Sequence, residues 1–245
     1  MSRQQPRRRP TLIGPLNDDE IRAAAPALPF GESPRAAREL RWDPTSRSNL
    51  LLAGSHGTGK SNAGDVLAAA ARVQGSAVLG IRAQGAPDPR FTAFANGMED
   101  AEQLLVELTQ EMRRRMTAVR ASGERSVEAL PEKQRPPHLF LFVDGLARLP
   151  LQTKLPPEEL RAARTEFYDY LRRSIDLLSR AGALLRIHVV VVTDRDVPKP
   201  PWNTGVIRLR NPGRGTYDTG TKTPQPAAVY PAPSAAQVGK ALTGI

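Results

Sequence analysis

The stretch Leu50 to Ser61 reads LLLAGSHGTGKS, an apolar run that leads straight into Gly54-Ser55-His56-Gly57-Thr58-Gly59-Lys60-Ser61. These last residues fit the pattern G-x-x-x-x-G-K-[ST], in which glycines let the backbone curl so that successive N–H groups point at phosphate oxygens. The helix expected next adds the positive end of its dipole. Lys60 is placed to reach the β- and γ-phosphates of a nucleotide, and the Ser61 hydroxyl to complete a Mg²⁺ shell. A motif this short needs its surroundings. Here an apolar strand precedes it, and the Ala-rich segment Ala63 to Val73 follows with helical character. A Gly-rich turn without a ligand would not call for a lysine and a serine at these two places.

Outward from this loop, the chain reads as alternating strands and helices. Ala77 to Ile81 (AVLGI) is a second buried strand, and Gln84 to Gly97 a loop. Ala101 to Ala121 carries Ala101, Leu104, Leu105, Leu108, Met112, Met116 and Val119 at helical spacing, with Glu102, Glu107 and Glu111 on the other face. Arg113, Arg114 and Arg115 in its later turns read as a solvated face that complements the helix dipole. Leu139 to Val143 (LFLFV) is a fully apolar strand ending at Asp144. Ligands of open α/β sheets sit at such strand ends, so Asp144 is the expected metal-side carboxylate. Pro157 to Ala181 is a long amphipathic helix, and His188 to Thr193 (HVVVVT) a further central strand with Asp194 and Arg195 at its end. Val206 to Leu209 reads as a last strand, and Ala235 to Leu242 as a terminal helix. Before the loop, Glu39 to Trp42 reads as a small β element laid against the strand that enters it. His56, His138 and His188 read as isolated, with no metal-ligand spacing.

Composition narrows the class. The 245 residues suffice for one α/β domain with extensions: a basic arm over 1–27, the domain over 28–215, and a Pro/Gly-rich extension with a short helix over 216–245. No window approaches the about 18 apolar residues of a membrane span, and no secretory signal pattern is present. Without cysteine there is neither a disulfide nor a thiolate zinc site. A cytoplasmic protein is expected. The formal net charge of +10 favours a polyanionic partner through counterion release.

Taken together, these segments resemble the motor domain of the FtsK/SpoIIIE family from about Leu28 to Gly215. RWDPTSRSNLLLAGSHGTGKS looks like that family's leading strand and nucleotide loop. EMRRRMTAVRASGERSVEAL is similar to its Arg-rich helix, LFLFVDGLARL to its Asp-ended strand, and RAGALLRIHVVVVTDR to the strand that ends in Thr-Gln-Arg. The resemblance implies an α/β, RecA-like P-loop NTPase fold with a mostly parallel central sheet flanked by helices. It further implies ATP and Mg²⁺ as cofactors, self-association into a ring, and translocation along double-stranded DNA. Type VII secretion ATPases belong to the same superfamily.

Two departures stand out. The family's catalytic glutamate after the strand aspartate is Gly145 here, and the sensor amide has become Asp194, the nearest candidate for a displaced base. Three functions remain open on these residues. One is a DNA-translocating ATPase, one a hydrolysis-deficient nucleotide-gated subunit, and one a secretion-like relative acting on protein.

Overall fold

The computed structural model describes residues 27–36, 38–83, 88–145, 149–150, 156–194, 204–218 and 224–243. Arg195 and most of the basic arm lie outside the described residues. The strands are β1 (Leu28–Ser33), β2 (Arg38–Trp42), β3 (Asn49–Gly54), β4 (Ala77–Arg82), β5 (Ala93–Ala95), β6 (Leu139–Asp144), β7 (Ile187–Thr193), β8 (Thr204–Asn211), β9 (Arg214–Asp218) and β10 (Gln225–Val229). The helices are α1 (Lys60–Val73), α2 (Met98–Ala121), α3 (Pro157–Ala181) and α4 (Ala235–Thr243).

The central strands are near-continuous apolar runs because both faces of the sheet are covered. Along β6, Leu139, Leu141 and Val143 turn to one face, where they pack with Ala77, Leu79 and Ile81 of β4 and the apolar stripes of α2 and α3. Phe140 and Phe142 turn to the other and meet Val78, Leu50, Leu52 and α1. Each such buried Leu or Phe contributes about 1.5–3 kcal/mol. The helix-period stripes thus dictate a three-layer α/β arrangement.

Among the described residues the strands form one sheet in the order β2-β1-β10-β9-β8-β3-β7-β6-β4-β5. From β8 to β5 the neighbours are parallel. From β8 through β9, β10 and β1 to β2 they are antiparallel. β7 is inserted between the loop strand β3 and the Asp144 strand β6, in a register that sets Ala53 beside Thr193 and Val143 beside Val191. This insertion brings the end of β7 between Lys60 and Asp144.

The fold matches the α/β, mostly parallel expectation, except that residues 93–95, expected in a loop, form β5 at the sheet edge beside β4, and with four further local corrections. Residues 38–42 pair with β1, not with the strand that enters the loop. Residues 225–229, in the segment set apart in sequence from 216 onward, form β10 between β1 and β9. Of the three consecutive arginines of α2, Arg113 and Arg114 are exposed, but Arg115 is 1% exposed. Its Nε donates to Glu111 Oε1 at 2.7 Å, and its Nη1 donates to Pro137 O at 3.0 Å and Leu185 O at 2.8 Å. Burial pulls the Arg115 pKa down against the raising effect of Glu111. The residue ties α2 to the segments that start β6 and β7.

Those same starts hold the fourth correction. His138 and His188 are a buried stacked pair, with His138 Nδ1 and His188 Nε2 2.8 Å apart. His188 Nδ1 lies 3.0 Å from Ser48 O, a carbonyl that only accepts, so His188 carries its proton on Nδ1. Its Nε2 then accepts from His138 Nδ1–H. Desolvation, first, pushes both imidazoles down to about 3, helped by Arg186 at His138 and by His138 itself at His188. The pair is neutral and structural.

Candidate phosphate-binding site

The loop from β3 to α1 is held by its own carbonyls. Thr58 Oγ1 and Lys60 Nζ donate to Ser55 O at 2.9 and 2.7 Å, and Ala63 N–H donates to Gly59 O at 2.9 Å. Gly59 precedes the first helical residue at φ 90°, a left-handed conformation that costs a side-chain-bearing residue about 1–2 kcal/mol. No acidic residue stands in the first turn of α1. The helix N-terminus therefore keeps its positive end for an external anion.

The turn between β8 and β9 supports the loop from outside: Gly213 N–H donates to Thr58 O at 3.0 Å. Asn62, one residue beyond Ser61, holds the C-terminal segment. Its Nδ2 donates to Tyr230 O at 2.8 Å, and its Oδ1 accepts from Ala232 N–H at 2.9 Å. Sequence reading missed this brace. Its partners are backbone groups of a Pro-containing stretch far along the chain, which leave no residue-type signal.

A cavity of about 1160 Å³ opens at the C-terminal ends of the parallel strands. Its floor holds His56, Gly57, Gly59, Lys60 and Ser61 from the loop, Asp144 and Gly145 from the end of β6, and Thr193 and Asp194 from the end of β7. Thus Lys60, Ser61, Asp144 and Asp194, expected from sequence at one site, do line one cavity. Helix α3 forms the facing wall with Tyr168, Leu171, Arg172, Arg173 and Ile175. The two wall arginines were not anticipated, since a helix heptad reads them as solvent-facing. Of the other loop residues, Gly54 ends β3, and Ser55 and Thr58 shape the turn through the Ser55 carbonyl.

Lys60 and Asp144 already have protein counter-charges. Lys60 Nζ is 2.7 Å from Asp194 Oδ1. Asp144 Oδ2 accepts from Arg82 Nη2 at 3.4 Å, while Arg82 Nη1 contacts Asp65 Oδ1 of α1 at 2.7 Å. Arg90 continues the chain of charges to Asp65 at 2.9 Å and to Asp88. Burial raises the Asp65 pKa even so, outweighing the lowering by Arg82 and Arg90. Arg82 is a further residue that sequence reading passed over, being the last residue of an apolar strand.

Gly145 adopts φ 69°, and a Cβ built there would lie 3.4 Å from Ala83 Cβ. The residue after Asp144 is thus in a backbone conformation that side-chain-bearing residues disfavour. A side chain at this place would meet a main-chain constraint before any chemistry it brought.

For a Mg²⁺ ion the donor chemistry fits. Ser61 and Asp144 offer hard oxygen ligands in one cavity, of the kind this ion takes alongside water and phosphate. Among the described residues there is no cluster of three or more His, Cys, Asp or Glu side chains arranged to hold a metal ion. No described helix is long and apolar enough to cross a membrane.

Fold and loop together give the chain an α/β, RecA-like P-loop fold with a mostly parallel central sheet. The solved structures it resembles are of the FtsK/SpoIIIE type. The pCW3 conjugation coupling protein TcpA, in a monomer form with ATPγS, superposes with a TM-score of 0.68 at 16% identity, covering 95% of this chain and 75% of that one. ATPases 2 and 3 of EssC from Geobacillus thermodenitrificans give a TM-score of 0.62 at 14% identity, over 100% of this chain and 53% of theirs. The cytoplasmic domain of the type VII secretion ATPase EccC from Thermomonospora curvata gives 0.61 at 17% identity, over 96% of this chain and 34% of that one. This chain therefore spans only about half and a third of the two secretion structures. No family model and no curated protein sequence matches it.

Proposed function

We propose that this protein binds ATP with Mg²⁺ and uses it to act on double-stranded DNA as an FtsK/SpoIIIE-type translocase, assembling as a ring. The observation that carries the nucleotide part is the convergence of Lys60, Ser61 and Asp144 on one cavity at the strand ends, beneath a helix N-terminus without an acidic residue. In this reading the loop N–H groups and Lys60 hold the β- and γ-phosphates. Ser61 and Asp144 hold the ion, with Asp144 leaving Arg82 to do so. The ion supplies charge neutralisation at the transferred phosphate. Arg172 and Arg173 add positive charge across the cavity from α3.

DNA as the partner is supported by the +10 net charge and by the similarity to a conjugation coupling protein. Hydrolysis needs a group to orient water, and Gly145 has none. Asp194 is the cavity carboxylate that stands nearest to Lys60 and takes the role of base once the phosphate has displaced it.

A second reading, a secretion-type ATPase relative acting on protein, is favoured by the EssC and EccC likenesses. ATP turnover with and without duplex DNA separates the two. DNA-stimulated phosphate release that disappears in Lys60→Ala is the expected result. Tight ATP binding with no release under either condition would exclude a motor and leave a nucleotide-gated subunit.

A further inference from the structure

Lys60 is the residue on which any polyphosphate must rely, and the structure gives it two partners. Its ammonium has three donors. One goes to Ser55 O at 2.7 Å and another to Asp194 Oδ1 at 2.7 Å. The two acceptors differ in kind. Ser55 O belongs to the loop itself and stays with it. Asp194 follows the last residue of β7, and its side chain is 64% exposed where that of Lys60 is 8% exposed. The carboxylate therefore approaches the buried ammonium from the solvent side of the cavity, the side from which a ligand arrives. It is also the anion that compensates this charge beside an α1 N-terminus whose first turn holds no acid.

We infer that Asp194 is a specificity-determining residue that competes with the terminal phosphate of a nucleotide for Lys60, so that the site discriminates against triphosphate relative to diphosphate. The inference rests on the nucleotide-binding reading above. A terminal phosphate carries up to two negative charges and needs the same donor at the same distance. Either Asp194 withdraws into water, losing a charge-assisted hydrogen bond, or two anions crowd one ammonium. Both outcomes weaken binding of a triphosphate. A diphosphate places less charge against Asp194 and suffers less. Replacing the carboxylate by the isosteric amide keeps shape and an acceptor but removes the charge.

Titration calorimetry with Mg²⁺-ATPγS and with Mg²⁺-ADP on the wild-type chain, Asp194→Asn, Asp194→Glu and Lys60→Ala tests this. Asp194→Asn should tighten ATPγS about tenfold and ADP less than about threefold. Asp194→Glu should return the ratio of the two affinities toward wild type, which a merely structural role would not do. Equal or weaker ATPγS binding in Asp194→Asn overturns the inference. If the wild type still binds and Lys60→Ala does not, the nucleotide site itself stands. Loss of turnover in Asp194→Asn with both affinities unchanged would make Asp194 a base and not a competitor, which also overturns it. Absence of binding in every variant overturns both readings together.

Discussion

Acid should weaken this protein before most of its carboxylates titrate, because of the His138–His188 pair. In the folded chain both imidazoles are pushed from 6.5 down to about 3. In the unfolded chain they titrate near 6.5. Between those limits the unfolded state binds more protons, so stability is complete above about pH 6.5 and falls as pH drops. At pH 5 the unfolded pKa is 1.5 units higher, so each histidine costs about 2 kcal/mol and the pair about 4 kcal/mol. That is a large part of a typical folding free energy of about 5–15 kcal/mol. The carboxylates paired with arginine on α2 and beside the histidines act below this window. Glu128 is held below its ordinary value of 4.5 chiefly by Arg186, and Glu111 is held below it by Arg114 and Arg115 despite burial. Both contribute stability that is lost only as pH falls below about 4.5. Urea unfolding followed by circular dichroism at pH 7 and pH 5 reads the difference. A double substitution, His138→Gln with His188→Gln, should flatten the pH dependence even if it lowers stability at pH 7. A wild-type loss of less than about 1 kcal/mol between the two pH values would refute a neutral buried pair.

Three other perturbations follow from the packing. Arg115→Met strips donors from Pro137 O and Leu185 O and should cost about 2–4 kcal/mol in urea unfolding, whereas Arg113→Met at the exposed neighbour should change stability by less than about 0.5 kcal/mol. Equal effects would mean that Arg115 is solvated. Gly145→Ala forces a side chain into φ 69° near Ala83 and should cost about 1–2 kcal/mol, seen as a lower thermal midpoint; an unchanged midpoint argues against that backbone conformation. Asn62→Ala removes both hydrogen bonds to the 230–232 segment, and hydrogen exchange there should speed up while the α2 amides are unaffected.

The parts legible in sequence are those governed by local pattern. The glycines, lysine and serine of the loop, the apolar runs of β6 and β7, and the stripe of α3 from Pro157 to Ala181 each carry their signal within one segment. The illegible parts depend on who the partner is. β1 contains Pro29 and Gly31, β10 contains Pro226, and both lie in the antiparallel extension, so neither shows a buried parallel run. Arg115 looks like its neighbours Arg113 and Arg114, and only the helix phase against the segments that start β6 and β7 buries it. His138 and His188 meet because β6 and β7 are adjacent, which spacing along the chain does not reveal. At the site, sequence named Lys60, Ser61, Asp144 and Asp194 but neither the pairing of Lys60 with Asp194 nor Arg82, the counter-charge of Asp144. The Lys60–Asp194 contact and the hold of Arg82 on Asp144 arise from strand order alone.

The most direct test of a nucleotide site is equilibrium binding of a fluorescent ATP analogue, in Mg²⁺, to the wild-type chain and to Lys60→Ala. Saturable binding that unlabelled ATP displaces, and that Lys60→Ala loses without a change in its unfolding midpoint, is the expected result. Binding that survives Lys60→Ala undiminished, or a wild-type chain that binds no nucleotide, would contradict it.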